Sequence, residues 1–86
     1  MGRLRLTRVF CRAVQRLARR DRRLAAQTAA GLERDWPALP GPEDREIVIP
    51  PVRRCVGRAV AGTSLWIYYE VRGEEIWALN VAPAVE

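Results

Sequence analysis

Histidine and lysine are both absent from this 86-residue chain, and cysteine occurs only twice. Without histidine, the Ser-His-Asp and Cys-His arrangements of nucleophilic enzymes are excluded, and so is the commonest metal-ligating side chain. The spacing of Cys11 and Cys55 matches neither a zinc site nor a disulfide framework, so we expect two buried thiols. No glycine-rich nucleotide-binding loop is present either. The sequence therefore predicts no metal site and no cofactor.

Long apolar runs are missing as well. No stretch reaches the ~18 to 20 apolar residues that a membrane-spanning helix needs, so no membrane partner is expected. The arginines among the first 20 residues are spread throughout and do not precede an apolar segment, which argues against a secretory signal. We therefore expect a cytoplasmic protein. Its length allows one domain over residues 1–86, and 49% hydrophobic residues with 29% charged residues favour a folded one.

The charge of the chain is unevenly distributed. Residues 1–34 contain ten arginines and two acidic residues, a net charge of +8. Residues 35–86 contain five arginines and eight acidic residues, a net charge of −3. A basic region of this kind is either an ordinary solvated surface or an electrostatic footprint for a polyanionic partner.

Hydrophobic periodicity predicts two helices in the basic half. From residue 8 onward, apolar side chains recur at helical spacing and arginines occupy the opposite surface. The apolar positions are Val9, Phe10, Ala13, Val14 and Leu17, and the basic stripe is Arg8, Arg12, Arg16, Arg19, Arg20 and Arg23. A second apolar stripe follows at Leu24, Thr28, Leu32 and Trp36. With Asp21 as the N-cap between them, the two segments form a helical hairpin; one continuous helix is the alternative, because neither Gly nor Pro interrupts the region.

Strand signals lie on both sides of these helices. Leu4 and Leu6 alternate with arginines, which suits a short first strand, and the prolines of residues 37–42 end the second helix near Trp36. A short extended piece is expected at residues 46–49, and a strand at residues 52–61. With the final hairpin the order is β-α-α-β-β-β. This order predicts a two-layer α+β domain, in which an N-terminal strand and a helical hairpin pack on a small antiparallel sheet.

The last two strands, within residues 63–81, contain most of the aromatic residues. A three-residue loop at residues 71–73 would place Leu65 opposite Leu79 and Ile67 opposite Trp77. One face is then wholly apolar and packs on the helices: Leu65, Ile67, Tyr69, Trp77, Leu79 and Val81. The other face is the candidate working surface and carries Trp66, Tyr68, Ile76, Ala78 and Asn80.

This hairpin, LWIYYEVRGEEIWALNV, and the strand-helix-helix-strands order resemble the RelE/ParE superfamily of bacterial type II toxin-antitoxin toxins. In that family the hairpin commonly reads Tyr-Arg-aliphatic-aliphatic-Tyr-Glu-Val, then a glycine-bearing turn and an aliphatic strand. The matching residues are Ile67, Tyr68, Tyr69, Glu70, Val71, Gly73, Ile76, Leu79 and Val81. The chain departs from the family pattern at Trp66, where members often have arginine, and at residues 82–86, where they often have His-Arg or a late tyrosine.

The resemblance implies a toxin that inhibits translation by ribosome-dependent mRNA cleavage or binding, with the ribosome, mRNA and a cognate antitoxin as partners. Arg53, Arg54 and Arg58 lie where many members carry basic residues, and they would hold phosphates while Trp66 stacks a base. For cleavage the candidate catalytic residues are Arg58, Arg54 and Tyr68, although guanidinium is a poor general base. The alternatives are a ParE-like inhibitor of DNA gyrase and a non-toxic partner-binding module of the same fold.

Overall fold

The chain forms one strand, two helices and four further strands in the computed structural model, which describes residues 2–49 and 53–83, with the backbone alone at Ile49 and Arg53. The elements are β1 (Arg3–Leu6), α1 (Arg8–Arg20), α2 (Arg22–Asp35), β2 (Arg45–Ile49), β3 (Arg53–Ala59), β4 (Leu65–Arg72) and β5 (Glu75–Pro83), with a short 3-10 helix (Trp36–Ala38) after α2. Both helices lie on one face of a five-stranded sheet. The predicted two-layer α+β architecture is confirmed.

The two helices are separate, and each has its own N-cap. Thr7 Oγ1 accepts a hydrogen bond of 3.2 Å from the backbone N–H of Phe10, and Asp21 Oδ1 accepts one of 3.0 Å from that of Leu24. Asp21 has an extended backbone with φ −152° and ψ 92°, as an N-cap residue requires. The predicted helical hairpin is therefore correct, and the chain turns at this single residue.

The sheet has the strand order β1-β5-β4-β3-β2. Strands β2 to β5 form an antiparallel meander, and β1 joins its end by parallel pairing with β5. Thr7 extends this junction, because its backbone N–H and its hydroxyl both donate to the carbonyl of Ala78, at 3.1 and 2.8 Å. The N-terminal strand thereby fixes where α1 begins above the sheet.

The loop between β4 and β5 differs from the predicted three-residue loop. It consists of Gly73 and Glu74, and Arg72 pairs with Glu75 on either side of it. Gly73 has φ 59°, and a positive φ at the first loop position is what a type II′ turn requires. The prediction was wrong because the glycine begins the loop and does not end it.

This loop shifts the partners along the hairpin, so the predicted pairs Leu65 with Leu79 and Ile67 with Trp77 are wrong. The structure pairs Leu65 with Pro83, Ile67 with Val81, Tyr68 with Asn80 and Tyr69 with Ala78. Leu79 is the extra residue of a β-bulge between the last two pairs. Because paired residues share a face, Ala78 joins Ile67 on the helix side, and Trp77 lies on the opposite side.

The core lies between the two helices and the last two strands. Its buried cluster consists of Phe10, Leu32, Ile67, Ala78 and Val81, with Leu4, Ala13, Val14, Trp36, Leu39, Val60 and Leu65 packed against it. Val9 was predicted to join this core but is 54% exposed. Within the described residues, neither helix is long and apolar enough to cross a membrane.

Candidate nucleic-acid interface

The sheet places the residues that were predicted to form one site on two different faces, although Arg58 and Trp66 border one open cleft. Arg58 pairs with Ile67 across β3 and β4, so its side chain lies on the helix side of the sheet. Arg54, four residues earlier in β3, lies on that same side. Trp66 and Tyr68 flank Ile67 along β4 and therefore point to the opposite side. The two arginines and the two aromatic residues do not converge on one face.

Two carboxylates hold the Arg58 guanidinium. Its Nη2 lies 3.1 Å from Asp35 Oδ2, and its Nη1 lies 3.5 Å from Asp44 Oδ1. The Asp44 side chain is only 3% exposed, and its Oδ2 accepts hydrogen bonds from the Gly41 N–H, at 3.0 Å, and from the Tyr69 hydroxyl. A buried carboxylate is tolerated only when it is paired and hydrogen-bonded. Arg58 therefore joins β3 to the end of α2 and to the loop before β2.

Tyr69 is fully buried beneath this cluster. Burial, followed by the hydrogen bond to Asp44 and the negative charge of that carboxylate, raises the pKa of the Tyr69 hydroxyl far above its usual range. The hydroxyl therefore remains a hydrogen-bond donor under all ordinary conditions. It acts as a fixed partner of Asp44.

The raised pKa of Tyr69 predicts a loss of stability at alkaline pH. Above about pH 10 the unfolded chain releases the tyrosine proton while the folded chain keeps it, so the free energy of unfolding falls by up to about 1.4 kcal/mol per pH unit. Urea unfolding of the wild type and of Tyr69→Phe between pH 9 and 11, with reductant present, measures this slope. The chain contains no lysine, so few other groups titrate in this range. Equal slopes in the two proteins would contradict the expectation.

Tyr68 and Arg54 have local partners of their own. Tyr68 is 2% exposed, and its hydroxyl donates to the Pro83 carbonyl at 3.0 Å. The Arg54 side chain is 78% exposed and lies 3.3 Å from Glu46, an ion pair of the kind that contributes little in water. The Arg53 side chain lies outside the described part of the chain. Catalysis by Arg58, Arg54 and Tyr68 together stays a prediction that this arrangement does not favour.

A basic helix surface lies on α1 and the first turn of α2. It consists of the exposed residues Arg8, Arg12, Arg16, Arg19, Arg20, Arg22 and Arg23. Among the described residues, no carboxylate lies within 4 Å of any of these seven guanidinium groups. The spacing of Arg8, Arg12, Arg16 and Arg19 places them along one side of α1. The surface is a strip of uncompensated positive charge.

Trp66 lies directly over Gly57 on the side of the sheet opposite the helices. A Cβ atom at Gly57 would lie 2.7 Å from Trp66 Cε3 and 2.6 Å from Ile47 Cδ1. Only glycine leaves room for both side chains at this point. The half-buried Trp66 also borders an open cleft of about 770 Å³, together with Arg58 and the loop that leads into β2 at Arg45.

Trp77 lies between two arginines and not in the predicted core position. Its ring centroid is 4.2 Å from the Arg72 guanidinium carbon and 5.8 Å from that of Arg5. Its indole N–H donates to Glu75 at 3.2 Å, and Arg5 forms an ion pair with Glu75 at 3.1 Å. Contacts of an arginine with an aromatic face stabilise by about 0.5–1 kcal/mol each at exposed sites. These arginines are therefore engaged within the protein.

Sequence reasoning missed two residues near the cleft: Arg45, which lines it, and Gly57, which lies beneath Trp66. A glycine inside a strand often marks the close approach of another group, and this signal was available at Gly57. Arg45 had no comparable signal, because its place beside Gly57 depends on the pairing of β2 with β3. The element β2 was expected only as a short extended piece.

The described residues offer no metal site. Within residues 2–49 and 53–83, no three Cys, Asp or Glu side chains lie together in a way that could hold an ion. Cys55 is buried, Cys11 is half-buried, and neither takes part in a disulfide.

No protein-family model matches the chain, no curated protein is significantly similar to it, and no solved structure significantly matches its fold.

Proposed function

We propose that this protein is the toxin of a toxin-antitoxin pair, which acts in the cytoplasm by binding the ribosome and mRNA and so inhibiting translation. The observation that carries the proposal is the basic helix surface, with seven exposed arginines that have no carboxylate partner among the described residues. The observed element order adds support, since the resemblance to RelE/ParE toxins rests partly on that order.

Such a surface suits RNA for two physical reasons. Each guanidinium can donate two parallel hydrogen bonds to one phosphate, and each phosphate that is neutralised releases condensed counterions. The net charge of +5 also attracts a polyanion over a distance of about a Debye length before contact. An acidic antitoxin segment would be attracted in the same way. It would inhibit the toxin by covering the surface that binds RNA.

Inhibition by binding accounts for this geometry better than cleavage does. Cleavage needs a group that accepts the proton of the attacking 2′-hydroxyl; the chain has no histidine, and the Glu70 carboxylate of the hairpin is ion-paired with Arg72. The Tyr68 hydroxyl is buried and bonded to a carbonyl, and Arg58 is held by two carboxylates. The leading form of the proposal is therefore a toxin that occupies its target.

Controlled expression in bacteria tests the proposal. The wild type is expected to arrest growth, with incorporation of labelled methionine falling before incorporation of labelled thymidine. The triple variant Arg12→Ala, Arg16→Ala, Arg19→Ala is expected to relieve the arrest, because it removes three phosphate-binding groups from one strip. It should fold, since alanine favours helix. The amount of this variant that co-sediments with ribosomes should fall by roughly tenfold or more at physiological salt.

A matched control removes three charges elsewhere. Arg5→Ala, Arg34→Ala, Arg72→Ala changes the net charge equally, but each of these arginines pairs with a carboxylate in the wild type. It should still arrest growth. Arrest in which DNA synthesis fails first would replace the ribosome by DNA gyrase as the target. No arrest from a folded wild type would leave a non-toxic partner-binding module as the better account.

A further inference from the structure

We propose that the open cleft bordered by Trp66, Arg45 and Arg58 binds one unpaired nucleotide of RNA, with its base stacked on Trp66 and its phosphate on Arg45. This inference rests on the proposed function for the identity of the ligand as RNA. It adds a second contact to the basic helix surface. The helix surface binds the phosphate backbone of any RNA, and the cleft selects an unpaired base.

Trp66 is a fixed stacking platform. Its ring is seated over Gly57, where a Cβ atom would approach Cε3 and Cζ3 to 2.7 and 3.1 Å. The ring is half-buried and forms part of the cleft wall, so it is accessible from the cleft while the strand supports it from below. Stacking on an aromatic side chain tolerates every base, because each base has a π face. A ring that is already in place loses little conformational freedom on binding.

Arg45 is placed to hold the phosphate of that nucleotide. It is the first residue of β2 and pairs with Gly57, so it shares a face of the sheet with Trp66. Gly57 has no side chain, and the side chains of Trp66 and Ile47 occupy the space above it. Arg45 is exposed, and its guanidinium makes no hydrogen bond or ion pair with another described residue. It is therefore available to a ligand without breaking an existing contact.

The charges around the cleft favour a base inside it and not a run of phosphates. Arg58 is already neutralised by Asp35 and Asp44, and the exposed Glu43 adds a negative charge to the lining. Among the described lining residues, Arg45 alone is a cation without a carboxylate partner, so the cleft can hold one phosphate but not a run of them. The cleft volume of about 770 Å³ is ample for one nucleotide. In a duplex the bases are paired and stacked, so only a single strand can insert a base here.

Binding of a fluorescent single-stranded RNA octamer, compared with a duplex of the same length, tests the inference at fixed salt. Trp66→Leu should weaken binding of the single strand roughly tenfold, since it keeps an apolar cover on Gly57 but removes the stacking face. Arg45→Ala should weaken it roughly fivefold through loss of one phosphate contact. The matched control Arg72→Ala removes an equal charge from the strand that carries Trp66, at an arginine that pairs with Glu70, and should change binding less than twofold. Duplex binding should change less than twofold in all three variants.

Three results would overturn the inference. These are an unchanged affinity in Trp66→Leu, equal losses in Arg45→Ala and Arg72→Ala, or equal losses for duplex and single strand. Should Trp66→Leu fail to fold, the exposed Arg45 and its control decide the matter. The growth assay separates this inference from the proposed function. If the protein causes no growth arrest but its binding of single-stranded RNA depends on Trp66 and Arg45, only the proposed toxin function is refuted. If it arrests growth but its RNA binding does not depend on Trp66 and Arg45, only the proposed nucleotide site in the cleft is refuted.

Discussion

Replacing Arg58 with methionine is expected to lower the free energy of unfolding by about 2–3 kcal/mol, because Asp44 then keeps a buried charge without its cation. The Asp44 carboxylate is 3% exposed and would retain only the Tyr69 hydroxyl and the Gly41 N–H as partners. The effect is smaller than for a fully buried ion pair, since the Arg58 side chain is itself 32% exposed. Urea denaturation at pH 7 measures it.

A second substitution identifies the cause of this loss. Asp44→Asn combined with Arg58→Met removes the orphaned charge while the side-chain oxygen can still accept the two remaining hydrogen bonds. The double variant should therefore be more stable than Arg58→Met alone, by about 1–2 kcal/mol. Arg54→Ala, which breaks an exposed ion pair in the same strand, is the control and should change stability by less than about 0.5 kcal/mol.

The variant Arg58→Met also distinguishes a structural role of Arg58 from a catalytic one. A structural role predicts that Arg58→Met loses growth-arrest activity only in proportion to the fraction of protein that unfolds. Adding Asp44→Asn should then restore part of that activity. A catalytic role predicts complete loss of activity in a protein as stable as the wild type. The second outcome would return Arg58 to the part that the family resemblance implied for it.

Gly57→Ala is expected to destabilise the protein by about 2 kcal/mol through overpacking of the sheet face. The new methyl carbon would lie 2.6 Å from Ile47 Cδ1 and 2.7 Å from Trp66 Cε3, well inside van der Waals contact. The end of the Ile47 side chain can move, but the Trp66 ring has to shift away from residue 57. The lower entropy of alanine in the unfolded chain offsets only about 0.5–1 kcal/mol of this cost.

Gly31→Ala provides the matched control. Gly31 lies inside α2, and a Cβ atom there meets only Arg34 Nη2, at 3.8 Å. This substitution should stabilise the protein by up to about 1 kcal/mol, because glycine is a poor helix former. Thermal unfolding monitored by circular dichroism gives both values. The clash explanation fails if both glycine substitutions stabilise, or if Trp66→Leu does not reduce the cost of Gly57→Ala.

The helices were predictable because local signals specify them. The apolar spacing in α1 and α2 has the helical period, and Asp21 combines a favourable N-cap side chain with a position between the two stripes. Val9 was misassigned because a position at the border of the apolar stripe can face either way. Contact with the sheet decides that, and Val9 turns to solvent.

The hairpin register was not predictable to the same degree. Several loops fit the residues around Gly73, and a shift of one residue moves a whole strand face from core to solvent. The bulge at Leu79 changes the alternation once more. These two features together place Trp77 against arginines on the far side and Ala78 against Ile67 on the helix side. Nothing local to the sequence fixes the bulge, because its position depends on partners in other strands.

The sequence by itself determined the α+β class, the two helical stripes on either side of Asp21 and the concentration of positive charge on α1, because each follows from composition and short-range periodicity. Only the tertiary structure decided what the individual arginines do. Pairing of strands brings Arg58 to Asp44, places Arg5 against Trp77, and leaves Arg45 exposed beside Trp66. The charge of an arginine is readable from the sequence. Whether a carboxylate neutralises Arg5 or Arg58 depends on contacts between residues far apart in the chain.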